Sequence, residues 1–205
     1  MPNFTIHTVG HSNHALDHFL GLLRAHRIDV VADVRSRPVS SYCPYFSREN
    51  ISTILAENGF KYVFMGRELG GQPPAAEFYD EDGRALYWRM AESEFFLDGV
   101  TRLYRGMKQF SIATMCSEEN PSACHRRLLL SRVLHEQGVD VRHIRGDGRL
   151  ELEEELARLD EARRPQLDIF AEVNLPQERE QWKSIQSGLR KKALGNSSES
   201  YVEQI

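Results

Sequence analysis

The residues that could do chemistry crowd into the stretch 111–127, Ser-Ile-Ala-Thr-Met-Cys-Ser-Glu-Glu-Asn-Pro-Ser-Ala-Cys-His-Arg-Arg. It offers two thiols (Cys116 and Cys124), a carboxylate (Glu118), an imidazole (His125) and a guanidinium (Arg126). A thiol or carboxylate beside an imidazole suits nucleophilic attack or proton transfer, and a guanidinium grips a phosphate or carboxylate with paired donors. The elements that position these groups are legible around them. The apolar run Phe110 to Met115 predicts a buried strand, and Leu128, Leu129, Leu130, Val133 and Leu134 recur behind it at helical spacing. Asn120 is a good N-cap and Pro121 suits the first helical position, so a helix is expected to begin there. Its first N–H groups, at Ser122 to Cys124, would stabilise a thiolate or an anion. Arg126 shares a stripe with Leu130 and is expected to point into the cleft.

The rest of the chain repeats the same alternation. Strands are expected at Phe4 to Val9, Val30 to Val34, Tyr62 to Met65 and Val139 to Ile144, with helices carrying Leu16, Phe19, Leu20 and Leu23, then Ile51, Ile54 and Leu55, then the stretch Ala91 to Met107. Five strand–helix alternations argue for an α/β fold, a Rossmann-like three-layer domain with a mainly parallel sheet of about five strands over residues 1–150. In such sheets ligands bind at the carboxyl ends of the strands. Those ends carry His11 and Ser12, then Asp33, Arg35 and Arg37, then Arg67 with Gly70 and Gly71, then Cys116 and Glu118. Residues 151–205 read as a charged helix, with Leu152, Leu156 and Leu159 on one side, followed by a polar tail.

Composition narrows the function classes. A net charge of −4 over 205 residues, with the signs interspersed, argues against a protein that coats nucleic acid by charge alone. No run reaches the roughly 18 apolar residues of a membrane span, so a soluble cytoplasmic protein is expected. Three cysteines, Cys43, Cys116 and Cys124, do not make a disulfide framework.

Five motifs occur in order over residues 5 to 148: Thr8-Val-Gly-His-Ser12; Asp33-Val-Arg35 with Pro38; Leu69-Gly-Gly71; Cys116-x-Glu118 with Cys124-His-Arg126; and His143-Ile144 with Gly148. Together they resemble the bacterial family called domain of unknown function 488. The resemblance implies an α/β fold and marks the same loops as the site, and it supplies no reaction.

On the residues themselves, Cys116, Glu118, His11, Cys124 and His125 are the candidate catalytic groups. Ser12, Asp33, Arg35, Arg37, Arg67, Gly70, Gly71 and Arg126 are candidates for holding substrate or an anion. Each has a plain structural alternative: a cysteine as a small buried apolar residue, an arginine as the partner of Asp33 or Glu68. A zinc site drawn from Cys116, Cys124, His125, His11 or His143 matches no standard ligand spacing, so no metal or other cofactor is assigned. Outside the α/β unit, Gln166-Leu167-Asp168-Ile169-Phe170 resembles the short peptide by which bacterial polymerases and repair proteins bind the replication sliding clamp. Two functions are weighed. One is an enzyme acting on a phosphate-containing, nucleotide or nucleic-acid-linked substrate, connected with DNA repair or replication. The other is a non-catalytic adaptor that reads an anion or nucleic acid and is recruited to the clamp. A thiol-based metal or redox protein is a weaker third.

Overall fold

The computed structural model describes residues 4–163 and 182–187. The chain runs through Thr5–Gly10 (β1), Leu16–Ala25 (α1), Val30–Asp33 (β2), Arg48–Glu57 (α2), Lys61–Phe64 (β3) and Gly66–Leu69 (α3). It continues through Arg84–Leu86 (β4), Tyr87–Ala91 (α4), Glu94–Met107 (α5), Ile112–Cys116 (β5), Arg132–Glu136 (α6), Asp140–Ile144 (β6), Leu150–Leu152 (β7), Glu153–Arg163 (α7) and Lys183–Ser187 (β8). The central sheet has the order β3-β2-β5-β1-β6-β7, parallel throughout except for β7, which runs against β6. β4 and β8 form a separate antiparallel pair. The five expected strands are β1, β2, β3, β5 and β6. The short strands β4, β7 and β8 were not foreseen, because Arg-Ala-Leu, Leu-Glu-Leu and Lys-Ser-Ile-Gln-Ser carry too little apolar pattern and owe their strand form to a partner.

The buried strands feed two cores, one on each face. Val30 and Ala32 of β2 join one cluster and Val31 the other; in β5, Ile112 and Cys116 oppose Ala113 and Met115. This is the period of two that a strand imposes. Helices α1 and α2 cover one face through Phe19, Leu20, Leu23, Ile51 and Leu55. Helices α5 and α6 cover the other through Phe96, Val100, Leu103, Val133 and Leu134. The result is a Rossmann-like three-layer fold. Among the described residues no helix is long and apolar enough to cross a membrane.

The topology fixes where a site can form. β1 and β5 are neighbours, yet β1 connects through α1 to β2 on one side and β5 connects through α6 to β6 on the other. The crevice of a doubly wound sheet opens where crossovers leave in opposite directions, here at the carboxyl ends of β1 and β5. Gly10 ends β1 and pairs with Cys116, which ends β5. A Cβ on Gly10 would overlap the carbonyl oxygen of Glu118, so the loop after β5 depends on a residue without one.

Two glycine substitutions test that packing. Gly21→Ala, on the exposed side of α1 with nothing near its Cβ, is expected to stabilise the protein by about 0.5–1 kcal/mol in denaturant titrations. Gly10→Ala is expected to cost more than about 2 kcal/mol in the same titrations. Equal midpoints for Gly10→Ala and the unmodified protein would show that the loop does not need this glycine.

Candidate functional site

The ends of β1 and β5 are tied together by the His11 N–H, which donates to the Cys116 carbonyl at 2.9 Å, and the Ser12 N–H, which donates to the Ser117 carbonyl at 2.8 Å. Ser12 takes a left-handed conformation (φ 43°) at this junction, a strained position for a residue with a Cβ. After β5 the chain folds around Arg126. The Arg126 guanidinium donates to the carbonyls of Glu118 and Glu119 and to Thr8 Oγ1. Arg126 is fully buried and turned into the scaffold, not into the cleft as its helical stripe suggested.

The helix after β5 begins later than Asn120 and Pro121 suggested. Asn120 caps Ser122 N at 3.0 Å, but only the single 3-10 turn Pro121–Ala123 follows. Cys124 is extended (φ −124°, ψ 141°), and its carbonyl accepts from Arg127 N and Leu128 N. Its Sγ accepts from Arg126 N at 3.4 Å. Cys124 itself therefore caps the helix, whose first turns, Arg126–Ser131, are π-helical, a feature common at functional sites. The Ser122 to Cys124 amides consequently do not form the helix start that the sequence suggested. The helix dipole acts on the Cys124 sulfur instead.

Four side chains meet here. Glu118 Oε2 lies 3.0 Å from Cys116 Sγ and 3.1 Å from Cys124 Sγ. His125 Nδ1 lies 3.6 Å from Cys116 Sγ and 3.9 Å from Cys124 Sγ. On its other side, His125 Nε2 lies 3.0 Å from the Val34 carbonyl, which only accepts, so Nε2 carries a proton. Gly71 makes room for the ring: a Cβ there would come within 2.6 Å of His125 Cγ. The two sulfurs and Nδ1 all fall within 4.8 Å of one another.

The thiols are nearly or wholly buried, and they share charge unequally. The hydrogen bond with Cys124, together with burial and the Glu118 charge, pushes the Cys116 thiol well above its usual range. Burial also pushes Cys124 up, but hydrogen bonds with Cys116 and His125 and the charges of His125 and Arg126 outweigh it and bring it well below. His125 is raised, because its contacts with Cys124 and Glu118 overcome a burial that acts downward. Glu118 is raised by burial and then by the Cys124 charge. The contacts favour negative charge on Cys124, positive charge on His125 and a retained proton on Cys116.

The cluster forms the floor of a cleft of about 220 Å³, walled by Arg35, Arg37, Gly71, Gln72, Tyr87 and the residues Ser184, Ile185 and Ser187 of β8. At Ser117 it adjoins a second recess of about 430 Å³ lined by His11, Ser12, Asn13 and the loop from Val39 to Cys43. Arg35 is buried and bidentate on Asp33 (Nε to Oδ1 at 2.9 Å, Nη2 to Oδ2 at 2.6 Å), with Nη1 shared between the Phe46 carbonyl and His11 Nε2. Asp33 also accepts from Tyr62 Oη. Arg37 is exposed on the cleft wall, and no hydrogen bond joins its side chain to another described residue. Arg67 is exposed on α3, away from the cleft lining, and Glu68 pairs with Arg102. Gly70 packs against Ser36. Gln166, Leu167, Asp168, Ile169 and Phe170 lie outside the described residues.

Sequence reasoning missed three contributors. The Val34 carbonyl that orients His125 carries no side-chain signal. The β8 wall becomes visible only through its pairing with β4. The buried chain Thr8–His143–Glu153–Arg127, with contacts of 2.8, 2.7 and 3.1 Å, was foreshadowed by the polar residues His143 and Arg127 inside apolar runs.

His11 is stacked on Phe46 at 4.3 Å, its Nδ1 donating to the Ser12 carbonyl and its Nε2 accepting from Arg35. Burial first, and the Arg35 charge second, lower its pKa from 6.5 to about 4. Between those values the unfolded chain binds a proton that the folded chain does not, so acidification favours unfolding. Stability is expected to fall as pH drops from about 6.5 to 4, with His11 contributing about 3 kcal/mol of the loss at pH 4. Urea midpoints across that range should decline less steeply for His11→Asn. Nitrogen NMR at pH 6 should find a neutral His11 protonated at Nδ1, and an imidazolium there would overturn the assignment.

Comparison with curated proteins and with solved structures found no match to this chain. One family model does match, over residues 15–133, a span that holds α1, β2, the Gly70–Gly71 turn, β5 and the whole Cys116–Arg126 loop. The chain belongs to the family described as Domain of unknown function DUF488.

Proposed function

We propose that the chain is an enzyme acting on a phosphate-containing or nucleotide-like substrate, with Cys116, Glu118, Cys124 and His125 as its reacting groups. The observation that carries this reading is the meeting of two thiols, a carboxylate and an imidazole on the floor of a cleft at the switch point of the sheet. Groups with displaced proton affinities in a cleft mark functional sites more often than structural ones. The anion is received by Arg37, because Arg35 and Arg126 are committed to internal partners. Arg37 guides and orients, and the cluster reacts.

A panel of phosphomonoesters, phosphodiesters, nucleotides and short DNA tests the reading. Cys124→Ser and Glu118→Gln are each expected to lower kcat by about 10²-fold or more. Arg37→Ala is expected to raise KM more than it lowers kcat, the mark of a group that binds without reacting. No turnover of any phosphate-containing compound, or unchanged turnover in the Cys124 and Glu118 variants, would favour an adaptor.

Recruitment to a replication sliding clamp belongs to the same proposal. Residues 166–170 fall in the stretch of chain between α7, anchored by the Arg127–Asp160 ion pair, and Trp182, whose indole N–H donates to the Leu128 carbonyl at 2.6 Å. A peptide tethered at both ends to the domain would bring the cleft to DNA. Leu167→Ala combined with Phe170→Ala is expected to abolish binding to purified bacterial clamp in calorimetry while leaving thermal stability unchanged. Equal affinity of the two forms would remove the clamp from the proposal.

A further inference from the structure

We propose that Cys116 Sγ, Cys124 Sγ and His125 Nδ1 are three ligands of a zinc-class divalent ion whose fourth position opens to the cleft. The inference deepens the enzymatic reading of the same cluster by naming the group that acts there. Three observations carry it.

The first is distance. Bonds of roughly 2.3 Å to sulfur and 2.0–2.1 Å to nitrogen at tetrahedral angles put neighbouring ligand atoms roughly 3.6 Å apart. The sulfur-to-Nδ1 separations are 3.6 and 3.9 Å, and all three atoms lie within 4.8 Å of one another. The two sulfur-to-nitrogen separations already match this to within a few tenths of an ångström.

The second is orientation. Because Nε2 donates to the Val34 carbonyl, Nδ1 is the nitrogen that faces the thiols. A backbone carbonyl that fixes the far nitrogen of an imidazole is the usual outer support of a ligating histidine. Gly71 admits the ring to that position, so two neighbours hold His125 in its ligating pose.

The third is the donor set. Two sulfurs and an imidazole select a borderline-soft ion over magnesium or calcium, which prefer oxygen. Glu118 touches both sulfurs but is not one of the three mutually close donors. Binding displaces the protons that the two sulfurs and His125 Nδ1 carry, and the ion would then acidify its bound water. With three protein ligands and a water the site has the form of a catalytic centre, whereas four protein ligands would close it as a structural one.

The test uses the full-length protein, stripped with a chelator and titrated with zinc and then with cobalt(II). One equivalent is expected to bind, to raise the melting temperature, and with cobalt to give the thiolate charge-transfer absorption of a tetrahedral sulfur site. Cys116→Ser and Cys124→Ser are each expected to weaken that absorption, His125→Asn to lower the affinity, and Cys43→Ser to change neither. Failure to bind one equivalent, or a spectrum indifferent to both serine variants, overturns the inference. The two readings part cleanly in the panel of substrates. Full turnover by the stripped protein, lost in Cys124→Ser, removes the ion and keeps a thiol enzyme. One bound ion with no turnover keeps the metal site and removes the proposed enzyme.

Discussion

The site rests on a buried cation. Arg126 has no exposed surface, and a guanidinium cannot shed its charge, so a poorly satisfied one would cost several kcal/mol. Its partners are Thr8 Oγ1 and two main-chain carbonyls, those of Glu118 and Glu119. Because the acceptors belong to the backbone of the loop after β5, satisfying the charge and shaping the loop are one event. The consequence is a separation of two adjacent carboxylates. Glu118 turns to the thiols, while Glu119 takes the Arg145 fork at 2.9 and 2.8 Å and the Gly146 N–H, binding the loop to the end of β6. Thr8 carries the network inward: it accepts from Arg126 and donates to His143 Nδ1, and His143 Nε2 donates to Glu153, which also accepts from Arg127. Helix α7 is thereby fastened to β6 beneath the site.

A second buried cation does the same for the opposite wall. Arg35 is locked on Asp33 and the Phe46 carbonyl, and its remaining contact holds His11 as a neutral ring. The path after β2 then delivers the Val34 carbonyl to His125 and leaves Arg37 facing outward. Two of the four arginines grouped by sequence are scaffold, and the scaffold determines where a third can meet a ligand.

The division between what was legible and what was not follows from these contacts. Strands β2 and β5 could be read from runs buried along their whole length, and β1, β3 and β6 from β-branched and aromatic residues set among polar ones; their carboxyl ends then pointed to the cleft. The Cys116 loop was legible from residue type alone. The roles of its arginines were not. A helical stripe places Arg126 on the inward side of its helix, but whether inward means cleft or scaffold depends on two carbonyls whose path the sequence does not show. The same limit applies to Asn120 and Pro121. They begin a turn as expected, yet the chain is extended at Cys124, whose sulfur accepts from Arg126 N, and the cap moves to that residue. The metal-like spacing was hidden because seven residues separate the two cysteines, and only the single 3-10 turn folds that interval back on itself.

The cluster is a poor choice for stability alone. Two thiols and a carboxylate crowd one imidazole, and like charges about 4 Å apart repel by about 4 kcal/mol at the effective dielectric of a partly buried site. The fold relieves this by raising the proton affinities of Cys116 and Glu118, so that neither adds its negative charge as readily as it would in water. Apolar side chains of similar size would fill the space with no such conflict. Sequences break local rules of this kind where a site requires it, and the two buried arginines beside the cluster are what allow the rule to be broken here. The guanidinium of each anchors a loop through hydrogen bonds to oxygens or a ring nitrogen, none of them to the thiols. With the loops held by other contacts, four ionisable groups stay together at the end of the sheet.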